Sequence, residues 1–189
     1  MMTLSDTTDE NLMLTASRGD EAAFALLVRR WEQPIKRFVY RMLPKGAEAE
    51  DLAQEVFVRV YKNKERYREG AKVSTWLYTI AHNLAKNKIR SFMRWGWRQT
   101  QAEAGDWENF SLESETPQDL IKRKEERQRV KNALAKLNDD DRALVVMFYY
   151  EQFATQDIGE VLGVGAKAVE MKLYRVRKKL GEILKISEG

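Results

Sequence analysis

The chain has 189 residues, 43% of them hydrophobic, with a formal net charge of +4 and no cysteine. That length holds one domain or two small ones, and the missing thiols exclude disulfides and thiolate metal sites and suit a reducing compartment. The longest strongly apolar run, residues 143–150, falls far short of the roughly 20 residues that cross a bilayer, and the polar, acidic start has no signal core, so a cytoplasmic chain without membrane insertion is expected.

Helical periodicity dominates throughout, and no strand alternation appears. Residues 11–18 read as a short helix closed by Gly19. Asp20 then caps a long helix carrying Leu27, Val28, Trp31, Ile35, Phe38 and Val39, which Pro34 should kink or split. A turn is expected at 44–46, then a helix over about 47–62 with Leu52, Val56 and Val60 inward. A polar loop containing Gly70 follows, and Ser74 is the expected cap of a fourth helix reaching about Met93. Residues 96–119 hold six acids and one base, a net charge of −5, which leaves +9 for the rest of the chain. This stretch reads as an acidic linker, although Trp95, Trp97 and Trp107 argue that it docks somewhere. The predicted fold class is therefore all-α, with two small helical domains at 1–94 and 120–189 joined by a linker at 95–119.

Within the second domain, Val130, Leu134 and Leu137 mark one helix, and Leu144, Val145 and Phe148 mark another capped near Asp139. Residues 153–180 then read as a helix-turn-helix. Ile158, Val161 and Leu162 share one face, Gly163-Val164-Gly165 break the pattern, and Val169, Leu173, Val176 and Leu180 form the next inward stripe. The opposite side carries Lys167, Met171, Tyr174 and Lys178, flanked by Glu170, Arg175, Arg177 and Lys179. An apolar back with a basic, aromatic front suits a major groove, although an amphipathic surface helix has the same pattern.

Two further constellations carry chemistry. Asp51 and Glu55 stack on one helix face with Gln54 beside them, and Glu48 and Glu50 deepen the negative field. Such a ridge is a docking site for a basic partner, a solvated face, or two ligands of a metal site whose other ligands the sequence does not supply. On the fourth helix, Trp76, Asn83, Asn87 and Arg90 lie at offsets 0, 7, 11 and 14, one stripe opposite Leu77, Ile80 and Leu84. Amides can bond base edges, an aromatic ring can stack on an unstacked base, and arginine can anchor a phosphate. Trp76 serves equally well as a core residue. The lone His82 has no nucleophile or metal-ligand set beside it and reads as a surface or packing residue.

The blocks AEDLAQEVFVRVY from Ala49, STWLYTIAHNLAKNKIR from Ser74, and the terminal basic helix-turn-helix occur in that order. Together they resemble an extracytoplasmic-function (ECF) sigma factor, over about residues 11–184. The resemblance implies sigma domains 2 and 4, which dock on bacterial RNA polymerase core and read the −10 and −35 promoter elements. It places Asp51, Gln54 and Glu55 against the basic clamp coiled coil, with Phe57 as an apolar neighbour, and implies a second contact with the flap. It assigns Tyr67, Trp76, Asn83 and Asn87 to a flipped base of the −10 element, with Arg90 and Lys86 on phosphates. It assigns Lys167, Glu170, Met171, Tyr174, Arg175, Arg177 and Lys178 to the −35 element.

The family commonly has a Pro or Ser at the turn followed by GTVKSR, where this chain reads Val164-Gly165-Ala166-Lys167-Ala168-Val169-Glu170-Met171-Lys172. Glu170 either accepts from a cytosine amine or serves its own helix through the dipole or an i, i+4 contact. The linker would thread the polymerase as a nucleic-acid mimic, or act as a plain tether. A specialised stress or envelope-type regulon and an anti-sigma factor are further implications, and no cofactor, metal or catalytic residue is expected. A conventional dimeric helix-turn-helix regulator would not need the acidic ridge, and a small metal-dependent nuclease would need ligands beyond Asp51 and Glu55.

Overall fold

Residues 7–43, 48–94 and 117–186 are described in a computed structural model, and among them only helices and turns occur. The first domain comprises α1 (Asp9–Ser17), α2 (Glu21–Met42), α3 (Ala49–Asn63), a 3₁₀ turn (Lys64–Arg66) and α4 (Val73–Arg94). The second comprises α5 (Pro117–Ala135), α6 (Asp139–Val145), a π turn (Val146–Tyr150), α7 (Thr155–Leu162) and α8 (Ala166–Ile186). The expected turn at 44–46 and the tryptophans Trp95, Trp97 and Trp107 lie outside the described residues.

Local chemistry explains most of the boundaries. Thr8 and Asp20 accept from the amides of Asn11 and Ala23, capping α1 and α2, and Gly19 between them has φ of 104°. Asp9 then ties the two helices together, receiving bonds from Arg30 at 2.8 Å and Trp31 Nε1 at 2.9 Å. Pro34 does not split α2, which runs through it. Proline removes one backbone bond at a cost of about 3 kcal/mol. On either side Leu27, Ile35, Phe38 and Val39 are fully buried, and each such side chain contributes roughly 1.5–3 kcal/mol. Packing outweighs the lost bond.

The cap of α4 also differs from expectation. The helix begins at Val73, so Ser74 lies inside its first turn rather than before it. The amide of Val73 instead finds a partner in α1, where Glu10 Oε1 accepts at 3.3 Å. A tertiary contact thus does the work predicted for a local cap.

In the second domain Asn138 caps α6 through the amide of Asp141 at 2.8 Å. The helix then widens, and Glu151 N bonds the carbonyl of Val146 five residues back at 3.2 Å. Periodicity around Phe148 gave no hint of this π turn, because one wide turn leaves the inward residues Val145, Val146 and Met147 buried. Leu134, Leu144, Met147, Ile158, Val169, Leu173 and Val176 form the core here, contiguous with the first domain's core.

Candidate polymerase and nucleic-acid interfaces

Three surfaces stand on this scaffold. On α3, Asp51, Gln54 and Glu55 are all exposed along one face, while Leu52, Val56 and Val60 anchor the other. The surrounding acids are engaged: Glu50 pairs with Lys36 at 2.8 Å, Glu55 with Arg59 at 2.7 Å, and Glu48 with Lys88 at 2.7 Å. Exposed pairs of this kind are worth at most about 1 kcal/mol, so an incoming basic partner can displace them. Beside the ridge lies a groove of about 170 Å³ between α2 and α3, bounded by Val28, Lys36, Glu50, Gln54 and Phe57. Phe57 is itself buried, at 8% exposure, and lines this groove rather than projecting from the ridge. Among the described residues, no group of three or more His, Asp or Glu side chains could hold a metal ion.

The stripe on α4 follows the periodicity. Asn83, Asn87 and Arg90 are exposed and Trp76 is half-buried. Tyr67 is different: it is buried, its hydroxyl donates to the carbonyl of Ala71, and its ring centre lies 5.4 Å from that of Trp76. Burial, reinforced by the nearby charge of Glu10, pushes its hydroxyl up to about 12. Tyr67 therefore braces the loop and backs the indole, and is buried rather than open to a −10 base in this arrangement. Trp76 packs one side against the core and leaves the other partly exposed. Lys86 is half-buried and bonds Asp140 at 2.7 Å, so it is not a free phosphate anchor in this arrangement.

The helix-turn-helix is built around two glycines. Gly163 ends α7 in the left-handed region at φ 68°. Gly159 had no sequence signal, yet a Cβ there would come within 2.6 Å of the Val164 carbonyl oxygen. The turn folds back on this residue, and Val164 N donates to its carbonyl at 2.8 Å. On α8, Val169, Leu173 and Val176 are buried. Lys167, Glu170, Met171, Tyr174, Arg175, Arg177 and Lys178 are all exposed, Tyr174 at 72% and Met171 at 56%. Arg177 is held by donation from Nε to the Tyr149 hydroxyl at 2.6 Å. That bond sets Arg177 apart from the rest of the front.

Sequence reasoning missed two features. Between α5 and α8 an apolar groove of about 410 Å³ is lined by Val130, Leu134, Val145, Leu173, Leu180 and Leu184. Val130, one of the residues that mark α5 in the sequence, is 37% exposed at its edge. The second is the contact between the domains, which uses Arg41, Tyr78, His82, Asp140, Arg142 and Glu151. His82 is buried at this seam as a packing residue, and burial holds its imidazole below the usual value.

The family descriptions Sigma-70 region 2 and Sigma-70 region 4 match residues 27–94 and 127–180. The ECF RNA polymerase sigma factor SigW of Bacillus subtilis is 32% identical over 174 residues, covering 89% of this chain and 92% of that one. The chain belongs to the ECF sigma factors. The ECF RNA polymerase sigma-E factor of Escherichia coli K12 is similarly related, at 29% identity over 178 residues, or 90% of this chain and 91% of the relative. The solved structure of CnrH in complex with the cytosolic domain of CnrY shares the fold, with a TM-score of 0.72 at 22% identity over 94% of this chain and 97% of that one. So does the sigma factor RpoE in complex with the anti-sigma factor NepR from Bartonella quintana, at 0.69 and 20% over 86% and 97%. As an ECF sigma factor the chain is a promoter-recognition subunit.

Proposed function

We propose that this sigma factor confers promoter specificity and strand opening on RNA polymerase core through the three surfaces above, with no chemistry of its own. The observation that carries the residue assignments is the split character of α4. One of its faces is packed, and the remaining stripe of Trp76, Asn83, Asn87 and Arg90 stays open with an indole at its head. A helix that needed only to fold would have no use for that combination. Unstacking a base costs a few kcal/mol, and capture against Trp76 with amide bonds from Asn83 and Asn87 offsets it.

The remaining assignments follow from charge and shape. Asp51, Gln54 and Glu55 meet the basic clamp coiled coil of core. The apolar groove between α5 and α8 receives an apolar segment of the flap. On the −35 element, Glu170 accepts from a cytosine amine, while Met171 and Tyr174 reach a thymine methyl and Lys167, Arg175 and Lys178 bond phosphates. Residues 1–94 and 120–189 act as separate readers joined by 95–119. No described helix is long and apolar enough to cross a membrane, which suits action in the cytoplasm. An anti-sigma factor is the expected regulator, since RpoE of Bartonella quintana, which shares this fold, was solved in complex with the anti-sigma factor NepR. The specialised regulon, of stress or envelope type, is part of the same reading.

The deciding experiment is transcription in vitro with purified protein and bacterial core across a promoter library. Discrete starts preceded by a shared pair of elements are expected. Core-independent binding to a palindrome, without initiation, would instead identify a conventional dimeric regulator.

A further inference from the structure

Arg177 flanks the basic front of α8 but belongs to a different stripe. Counted from Leu173, the residues Arg177, Gly181 and Leu184 fall at offsets 4, 8 and 11 on one side of the helix. All of them line the apolar groove between α5 and α8. The guanidinium stands at the lip of that groove. Its Nε donates to the Tyr149 hydroxyl at 2.6 Å, and its Cζ lies 5.6 Å from the Phe148 ring centre and 5.7 Å from that of Tyr149. The bond uses one N–H of the fork and turns its plane toward the groove. Among the described residues, no carboxylate pairs with the rest of it.

Gly181 is the other anomaly of this stripe. It lies inside α8, where glycine is among the least favourable residues. Its φ is not positive, so no left-handed turn requires it. No neighbour crowds it either: a Cβ there would meet nothing within 4 Å, in contrast to Gly159 and its carbonyl at 2.6 Å. The fold gives no reason for bare backbone at this point, and the open space above it is the groove. Leu180 and Leu184 flank the gap on α8, and Val130, Tyr149 and Tyr150, each more than a third exposed, border it from the other side. An apolar trough with a hole in its floor and one guanidinium at its lip fits an amphipathic segment, one that inserts a bulky apolar side chain and carries an acid beside it.

We propose that Gly181 and Arg177 select the segment this groove accepts, an assignment that rests on the flap reading of the groove. A bulky apolar side chain of the flap seats on the bare backbone at Gly181, and a carboxylate of the same segment pairs with the outer N–H groups of Arg177. Arg177 is thus a protein-reading residue on a helix whose other exposed cations face DNA. The Tyr149 bond holds its fork in place before the partner arrives, so little side-chain freedom is lost on binding. The aromatic rings around it exclude water and strengthen a charge-assisted bond. A side chain at position 181 would bury apolar area within the free chain; its absence leaves that area for the complex.

The test uses the full-length chain and intact core. The chain has no cysteine, so Arg127→Cys, at an exposed position one turn from Val130, takes a benzophenone label cleanly. With core it should cross-link to a segment of the flap that contains an acid. Gly181→Leu should raise the melting temperature by ~2–4 °C, through better helix propensity and a filled hole. The same change should weaken core binding and the cross-link on the order of tenfold. Gly181→Ala should give both signs more weakly and decides the matter if leucine distorts the helix. Arg177→Glu should also weaken core binding about tenfold, Arg177→Lys less, and reversal of the mapped flap acid should restore the Arg177→Glu variant. Arg177→Ala should leave the salt slope of promoter binding by the assembled holoenzyme unchanged, where Arg175→Ala lowers it. Full core binding by a stabilised Gly181 variant would overturn the hole, and a lowered salt slope in Arg177→Ala would return that residue to the DNA; either result leaves the flap reading intact. A cross-link that maps away from the flap would overturn that reading and this inference together.

Discussion

At Gly159 a single hydrogen atom decides whether the helix-turn-helix closes. A methyl group there would lie 2.6 Å from the Val164 carbonyl oxygen, a backbone atom, so the turn itself would have to shift. Gly159→Ala should cost about 1–3 kcal/mol, read as a fall in the melting temperature of the chain. Gly163 could be recognised from sequence because it ends a periodic run. Gly159 could not, since its constraint comes from a backbone atom that arrives only after the turn has formed. His82 supports a second prediction. Burial depresses its pKa below the ordinary 6.5, so the folded chain resists a proton that the unfolded chain accepts. Stability is therefore complete above pH 6.5 and falls as pH drops through the window below it. Asp140 acts in the same direction at lower pH. Burial alone would raise its pKa, but the bond and charge of Lys86 outweigh that and hold it below 3.8, so its contribution is lost only in strong acid. Thermal melts from pH 7.5 to 5 should show this decline, and His82→Gln should flatten it.

Among the elements, α8 offers the cleanest separation of roles. Arg175→Ala and Lys178→Ala should weaken promoter binding by similar factors for every sequence and lower the salt slope by about one each. Glu170→Ala should instead relax discrimination at one base pair; binding across a set of single-base promoter variants distinguishes these behaviours. On α3, Glu55→Lys should weaken core binding without altering the fold, because Glu55 is exposed and its pair with Arg59 is a surface pair. Charge reversal tests docking better than truncation does, since a merely solvated side chain would tolerate either. These helices were legible because their inward residues repeat at helical spacing and their outward ones do not compete with packing. The end of α6 was harder. Val145, Val146 and Met147 form a continuous apolar run, which a wide turn buries as readily as a regular one. The start of α4 was misplaced for a related reason: its amide partner, Glu10, lies 63 positions earlier.

Across the whole molecule, the composition announced two basic bodies and an acidic connector, and nothing about how the bodies meet. The seam pairs Arg41 with Glu151, 110 positions apart, and Tyr78 with the same carboxylate. No local pattern marks such pairs, because each residue alone reads as an ordinary surface charge or a core aromatic. Calorimetry offers a further check at this scale. The native chain should melt in one cooperative transition at low salt, and a variant carrying Asp140→Asn and Glu151→Gln in two, as the domains lose their shared contacts. The placement of those carboxylates has a consequence for genetics. A charge reversal at Asp140 or Glu151 should be suppressed by the opposite reversal at Lys86 or Arg41, partners that no local pattern links to them. A screen for second-site suppressors would then recover a map of the seam, and inactivating mutants would mark the reading surfaces.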